Sequence, residues 1–134
     1  KTGELIQVAA ECGCICAGLG KNDEKYQKTI EYYRGLIAFR KAHDILRLKY
    51  RKDVFNCVEM IPCRDSQVVV YRVVRDEQDI FFIFNASEKA VSVDLPSGNW
   101  NLMIHDDAAG CSTLAQKTGK VEVAPISATV LTKA

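Results

Sequence analysis

Two periods of apolar residues divide the chain. Between Asp23 and His43 apolar side chains recur at helical spacing: Tyr26, Ile30, Tyr33 and Ile37, with Leu36 beside them, form one stripe. Lys28, Glu31, Arg34 and Lys41 lie largely elsewhere on the wheel. Asn22 or Asp23 can cap this helix, and the acids Asp23 and Glu24 stand where the helix dipole favours negative charge. Arg40, Lys41 and His43 fall in the last turn, the favourable end for positive charge, so the helix should run to about His43. Such a stripe needs a cover, which predicts burial of Tyr26, Ile30, Tyr33 and Ile37 against the rest of the fold or against a second copy of the chain. Asp44-Ile45-Leu46-Arg47-Leu48 then reads as extended.

From residue 54 the period becomes strand-like. Val54 to Ile61, Val68 to Val74, Ile80 to Phe84, Val91 to Leu95, Trp100 to Ile104, Val121 to Val123 and Ala128 to Leu131 are short runs rich in Val, Ile and Phe. Turn chemistry separates them at Asn85 to Lys89, Pro96-Ser97-Gly98, Asp106 to Gly110 and Thr118-Gly119-Lys120. With no helix between the strands a parallel βαβ sheet is excluded, and the pattern predicts a mainly β fold: an antiparallel β-sandwich of Greek-key type preceded by one long amphipathic helix. Val91 to Leu95 alternates as an outer strand with one wet face would, whereas Ile80-Phe81-Phe82-Ile83-Phe84 is apolar on both faces and should be central. Trp100 alternates with Leu102 and Ile104 and reads as core. Residues 1–21 are small, apolar and glycine-broken, with a short strand around Leu5 to Ala10 as the expectation. Residues 22–134 carry the legible domain.

Composition narrows the partners. The chain of 134 residues is long enough for one domain with a real core. With 18 Lys plus Arg against 17 Asp plus Glu it has no field to gather phosphates, which argues against nucleic acid. No apolar run approaches the roughly 20 residues that cross a bilayer, so no membrane partner is expected. The start Lys1-Thr2-Gly3-Glu4 has neither Met nor a signal pattern, so the chain is expected to begin within a longer protein or after processing. Of six cysteines, Cys12, Cys14 and Cys16 crowd together while Cys57, Cys63 and Cys111 sit among apolar runs. That placement favours free thiols acting as small hydrophobes over a disulfide framework and leans towards a reducing compartment.

Candidate chemistry is sparse. Cys12-Gly13-Cys14-Ile15-Cys16 on a strand would put three thiols on one face and suits a soft metal or redox role, yet structural zinc needs four ligands with wider spacing. Gly13 to Lys21 looks like a phosphate loop out of register, and Gly18-Leu19-Gly20 lacks the third glycine of a dinucleotide site, so no cofactor is implied. The histidines available as bases are His43, at a helix end, and His105, beside Asp106 and Asp107 in what reads as a solvated turn without the calcium-loop pattern. Asn85-Ala86-Ser87 matches the N-glycosylation acceptor pattern by chance spacing. Sugar binding would use exposed aromatic faces, for which Tyr71 and Tyr50 are the candidates once Trp100 is assigned to the core.

Tyr32-Tyr33-Arg34-Gly35-Leu36-Ile37-Ala38-Phe39-Arg40-Lys41-Ala42-His43 resembles the last barrel helix of type I pullulanases, α-1,6-glucan debranching enzymes of the alpha-amylase superfamily of glycoside hydrolases. Ile83-Phe84-Asn85-Ala86, Val91 to Leu95, Pro96-Ser97-Gly98-Asn99-Trp100-Asn101, the pair Val121 and Val123, and Ser127 to Leu131 follow in the order found in that family's C-terminal β-sandwich. The resemblance covers residues 26 to 134. It implies a non-catalytic accessory domain, an upstream catalytic barrel as partner, and no catalytic, substrate-binding or metal residue here, since none of the acids lies in a motif like the family's catalytic strands. An autonomous α-glucan-binding module, a homodimer through the helix face, and a thiol-based metal or redox protein are the alternatives. Residues 1 to 20 depart from the family, and Asp44 replaces a usual Pro, which predicts a helix running slightly further.

Overall fold

The computed structural model describes residues 23–134 together with Val8, Ala9, Cys12, Gly13, Ile15, Cys16 and Gly18. Helix α1 spans Glu24–Ala42; Asp23 caps it by accepting the Lys25 amide at 2.8 Å, and Glu24 pairs with Lys28 one turn on. It stops before Asp44. His43 adopts extended backbone, and its ring Nδ1 meets the Phe39 carbonyl oxygen at 2.8 Å. The helix therefore does not run on where Pro is replaced. Residues Asp44–Arg47 form a 3-10 turn rather than an extended segment, and the run from Val54 opens as helix α2, Arg51–Cys57. Neither short helix has a side-chain cap, which leaves little local signal for it.

Strands β1 (Val58–Ile61), β2 (Val68–Arg75), β3 (Gln78–Asn85), β4 (Val91–Asp94), β5 (Trp100–His105), β6 (Ala108–Ala109), β7 (Ala115–Lys117), β8 (Lys120–Val123) and β9 (Ser127–Lys133) follow. A seven-stranded sheet has the order β1-β2-β3-β9-β5-β6, with β7 also on β5, and β4 pairs with β8 in a two-stranded sheet. All pairings are antiparallel. The chain crosses from the large sheet to the small one for β4, returns for β5, β6 and β7, crosses again for β8 and returns for β9, so the predicted sandwich is present, with β3 central and β4 an outer strand whose faces alternate. Strands β6 and β7 fall in stretches that read as turn or loop.

The large sheet is apolar on both faces. One face packs on β4 and β8 around Val70, Phe81, Ile83, Trp100, Leu131 and Val123. Trp100 is fully buried, its indole N–H donating to the Pro96 carbonyl at 2.8 Å. The opposite face packs Val73, Ile80, Phe82, Ile104 and Val130 against Phe39 of α1 and Ile45 of the 3-10 turn. Ile104 thus does not share a face with Trp100 and Leu102. A register shift between Leu102 and Ile104 inserts a bulge in β5, which also explains three consecutive buried residues there.

The helix stripe is rotated from the predicted one. Tyr32, Leu36 and Phe39 meet the sheet, an i, i+4, i+7 set roughly 120° around the wheel from Tyr26, Ile30, Tyr33 and Ile37. Tyr26 and Ile30 are buried outside both core clusters, while Tyr33 and Ile37 are half-buried. Gly35 sits on the sheet side, where an added Cβ would collide with the Ala109 carbonyl, so helix and β6 are in backbone contact. Asn85, 2% exposed, ties the connections together: Nδ2 donates to the carbonyls of Lys89 and Ala124 at 2.8 and 2.9 Å, and Oδ1 accepts from the backbone and hydroxyl of Ser87.

Candidate functional site

Because β3 is apolar on both sides, its second face needs a cover, and α1 supplies only part of one. The pairing registers line up Met60, Tyr71, Phe82, Val130 and Ile104 as one row across the sheet, with Val69, Phe84 and Ala128 as the next. α1 and the 3-10 turn cover the Ile80 and Val73 end. The far rows stay open: Phe84 is 41% exposed and Met60 64%. Between helix and sheet lies an apolar groove of about 590 Å³, lined by Tyr32, Leu36, Val54, Tyr71, Phe82 and Phe84 among others.

The floor of the groove is an aromatic stack. Tyr71 lies against Phe82 with ring centroids 4.7 Å apart and against Phe84 at 6.0 Å, the planes within 13° and 16° of parallel. The Tyr71 ring is thus engaged by two aromatic neighbours. Burial pushes the phenols of Tyr71 and Tyr32 above the ordinary value, so both stay neutral donors at any physiological pH. This surface offers contact area, the hydroxyls of Tyr32 and Tyr71, and Arg40 as the charged residue of its lining. The rest of the lining is apolar and suits apolar docking.

The other sequence candidates fall elsewhere. His43 is a helix cap packed against Phe39, ring centroids 4.2 Å apart and planes tilted by 36°. His105 is not a solvated turn residue: it ends β5, half-buried, with Nδ1 3.0 Å from Thr129 Oγ1 and Nε2 3.5 Å from Asp106 Oδ2. That order resembles a nucleophile, base and acid, but Thr129 is fully buried with no route for a substrate. Val8, Ala9, Cys12, Gly13, Ile15 and Cys16 are helical and exposed, which replaces the expected strand and the one-faced thiols; Cys14 and most of the glycine-rich stretch lie outside the described residues. Among the described residues no three metal-ligating side chains cluster. Cys12, Cys16, Cys57, Cys63 and Cys111 are free thiols, but Cys63 and Cys111 are exposed, and of these Cys57 is the one packed against the helix-side core. The Asn85 nitrogen a glycan would take is turned into the fold. Tyr50 is 69% exposed and away from the stack. No helix of the described residues is long and apolar enough to cross a membrane.

No family model matches the chain. Pullulanase A of Streptococcus pneumoniae serotype 2 (strain D39 / NCTC 7466) is 28% identical over 113 residues, 75% of this chain and 9% of that protein. The type I pullulanase of Bacillus subtilis str. 168, solved in complex with maltose, superposes with a TM-score of 0.71 and 27% identity over 83% of this chain and 16% of that one. The homologues of this chain are pullulanases. In fold alone the pullulanase of Bacillus acidopullulyticus agrees as well, with a TM-score of 0.75 at 19% identity over 81% of this chain and 14% of its own. The chain thus spans about a tenth of the length of the curated pullulanase and about a seventh of the solved ones. The resemblance read from residues 26 to 134 is borne out, and it fits the C-terminal region of a type I pullulanase.

Proposed function

We propose that residues 22–134 are the C-terminal accessory domain of a pullulanase-like α-1,6-glucan debranching enzyme, comprising the last barrel helix and the sandwich beyond it, and that this domain is structural rather than catalytic. The half-covered stack of Tyr71, Phe82 and Phe84 beside α1 carries this reading. A sheet face with that much open apolar area is suited to a continuous protein surface, and the helix above it presents the half-buried Tyr33 and Ile37 on another face. In this arrangement α1 is shared: Tyr32, Leu36 and Phe39 hold the sandwich, and Tyr33 and Ile37 meet the barrel. A Tyr71 ring already stacked with Phe82 and Phe84 has less free face to offer a sugar, which favours docking over glucan capture on this sheet face.

The test replaces the matching part of the Bacillus subtilis enzyme by this chain. The chain alone should release no reducing sugar from pullulan, whereas the chimera should. Phe84→Lys should lower the Tm of the chimera while leaving that of the free chain within a degree or two, since the Phe84 side chain is already partly in water. Pullulan hydrolysis by the free chain would overturn the non-catalytic assignment. Equal effects of Phe84→Lys on both proteins would overturn the docking assignment.

A further inference from the structure

A second hollow, of about 380 Å³, opens beside the 3-10 turn, at the lower end of the roughly 300–1,000 Å³ typical of small-molecule sites. Its chemistry is unlike that of the apolar groove. Asp44, Arg47, Lys49, Tyr50, Asp53 and Arg75 line it, so that charged groups of both signs surround one aromatic ring. One wall is fixed in advance: the Asp44 carboxylate accepts from Arg75 at 2.6 Å and from Gln78 at 2.8 Å, joining the turn to the β2–β3 hairpin. Asp76 lies 3.7 Å from the same guanidinium. The lining also carries Tyr50, whose backbone carbonyl accepts the amides of Asp53 and Val54 at 3.0 and 3.3 Å, so the root of the ring is held while the residue is 69% exposed.

From this we infer that the hollow is a surface site for a short neutral hexose oligosaccharide. A pyranose has an apolar C–H face and a polar rim, and the hollow presents the complement of both. The Tyr50 ring takes the face, while Asp53 and Arg47 exchange hydrogen bonds with rim hydroxyls as acceptor and donor. The lining carries three cations against two carboxylates, with Asp44 already tied to Arg75 and Gln78, so a fixed charge of either sign meets a like charge beside its partner, whereas a neutral polar rim meets donors and acceptors together. An apolar ligand would be better served by the groove around Tyr71. The site goes beyond the docking role and is independent of it.

Amide and aromatic resonances of the full chain, followed by NMR during titration with maltotetraose, test the site. Shifts should centre on Arg47, Tyr50 and Asp53; Tyr50→Ala should weaken binding about tenfold while Tyr50→Phe keeps it, and Asp53→Asn should weaken it severalfold. Well-dispersed spectra of the exposed-site variants show that they fold. No shift up to the solubility limit, undiminished binding to Tyr50→Ala, shifts centred on Tyr71 and Phe84, or tighter binding of inorganic phosphate in the same hollow would each overturn the assignment. Of these results only shifts centred on Tyr71 and Phe84 would also count against the docking role of that face, which the chimera reads separately.

Discussion

Gly35 of helix α1 rests directly on the backbone of Ala109 in β6, so that a Cβ added at Gly35 would overlap the Ala109 carbonyl oxygen and lie 2.5 Å from its carbon. Helix propensity alone favours alanine here by about 1 kcal/mol. The collision involves main chain that cannot rotate away, so α1 would have to lift from the sheet and lose contacts of Phe39 and Leu36. Gly35→Ala is therefore expected to destabilise by about 2 kcal/mol or more, the scale of overpacking. Urea unfolding of the two proteins gives the sign directly. A more stable variant would mean that this contact is looser than described.

The rotated helix stripe makes a second contrast. Phe39 is 2% exposed in the helix-side core, whereas Ile37, from the stripe expected to be buried, is half-buried and outside both clusters. Phe39→Ala should cost about 3–5 kcal/mol, the range for a large buried side chain, and Ile37→Ala about 1 kcal/mol or less. Equilibrium unfolding of the free chain should rank them in that order. The reverse order would restore the stripe of Tyr26, Ile30, Tyr33 and Ile37 as the one that meets the sheet.

The strands were legible because their side chains answer mainly to alternation and turns. Val91 to Leu95 with one wet face and Ile80 to Phe84 with none both stand where the pattern places them. The helix was legible as a helix, but a helix with two apolar faces does not say which one a sheet will take. Tyr32, Leu36 and Phe39 could have been found by treating Gly35 as a mark of close approach. Helix α2 was hidden because Val54 and Phe55 imitate the start of a strand, and both are exposed. The Tyr71 stack was out of reach, since it depends on the register between β2 and β3. Its one sequence signal was that β3 is apolar on both faces, which demands a second cover.

Asp44 supplies a pH handle. The hydrogen bond from Gln78 is the largest influence on its carboxyl; desolvation opposes it, and the charge and hydrogen bond of Arg75 add to it, so that the carboxyl is held below the ordinary 3.8. A depressed folded value means that Asp44 stabilises the fold above its unfolded pKa and loses that effect as pH falls through the folded one. The stability gap between the native chain and Asp44→Asn should be constant well above the ordinary carboxylate pKa of 3.8 and close as the pH falls through the lower folded value. Asp44 is on the surface, so the gap should be small and should narrow with salt. Urea midpoints measured across this range at two ionic strengths decide it. A gap that widens on acidification would contradict the arrangement.

Asn85 carries more of the fold than any other polar side chain described. Its amide nitrogen bridges the carbonyls of Lys89 and Ala124, and its oxygen holds Ser87, so a single side chain links the connection after β3 to the one between β8 and β9. These are the first and the last of the four passages by which the chain crosses between the two sheets. Asn85→Ala would leave buried carbonyls and the Ser87 amide without this partner and is expected to cost about 2–3 kcal/mol. Asn85→Asp keeps the acceptor for Ser87 but turns a carboxylate towards the carbonyls, so it should be no better than alanine at neutral pH. Ser87→Ala loses only the hydroxyl bonds and should cost about 1 kcal/mol. Denaturant unfolding ranks the three. If Asn85→Ala came within about half a kcal/mol of the native chain, the range of ordinary surface changes, the two passages would have to be held by their backbone pairing alone.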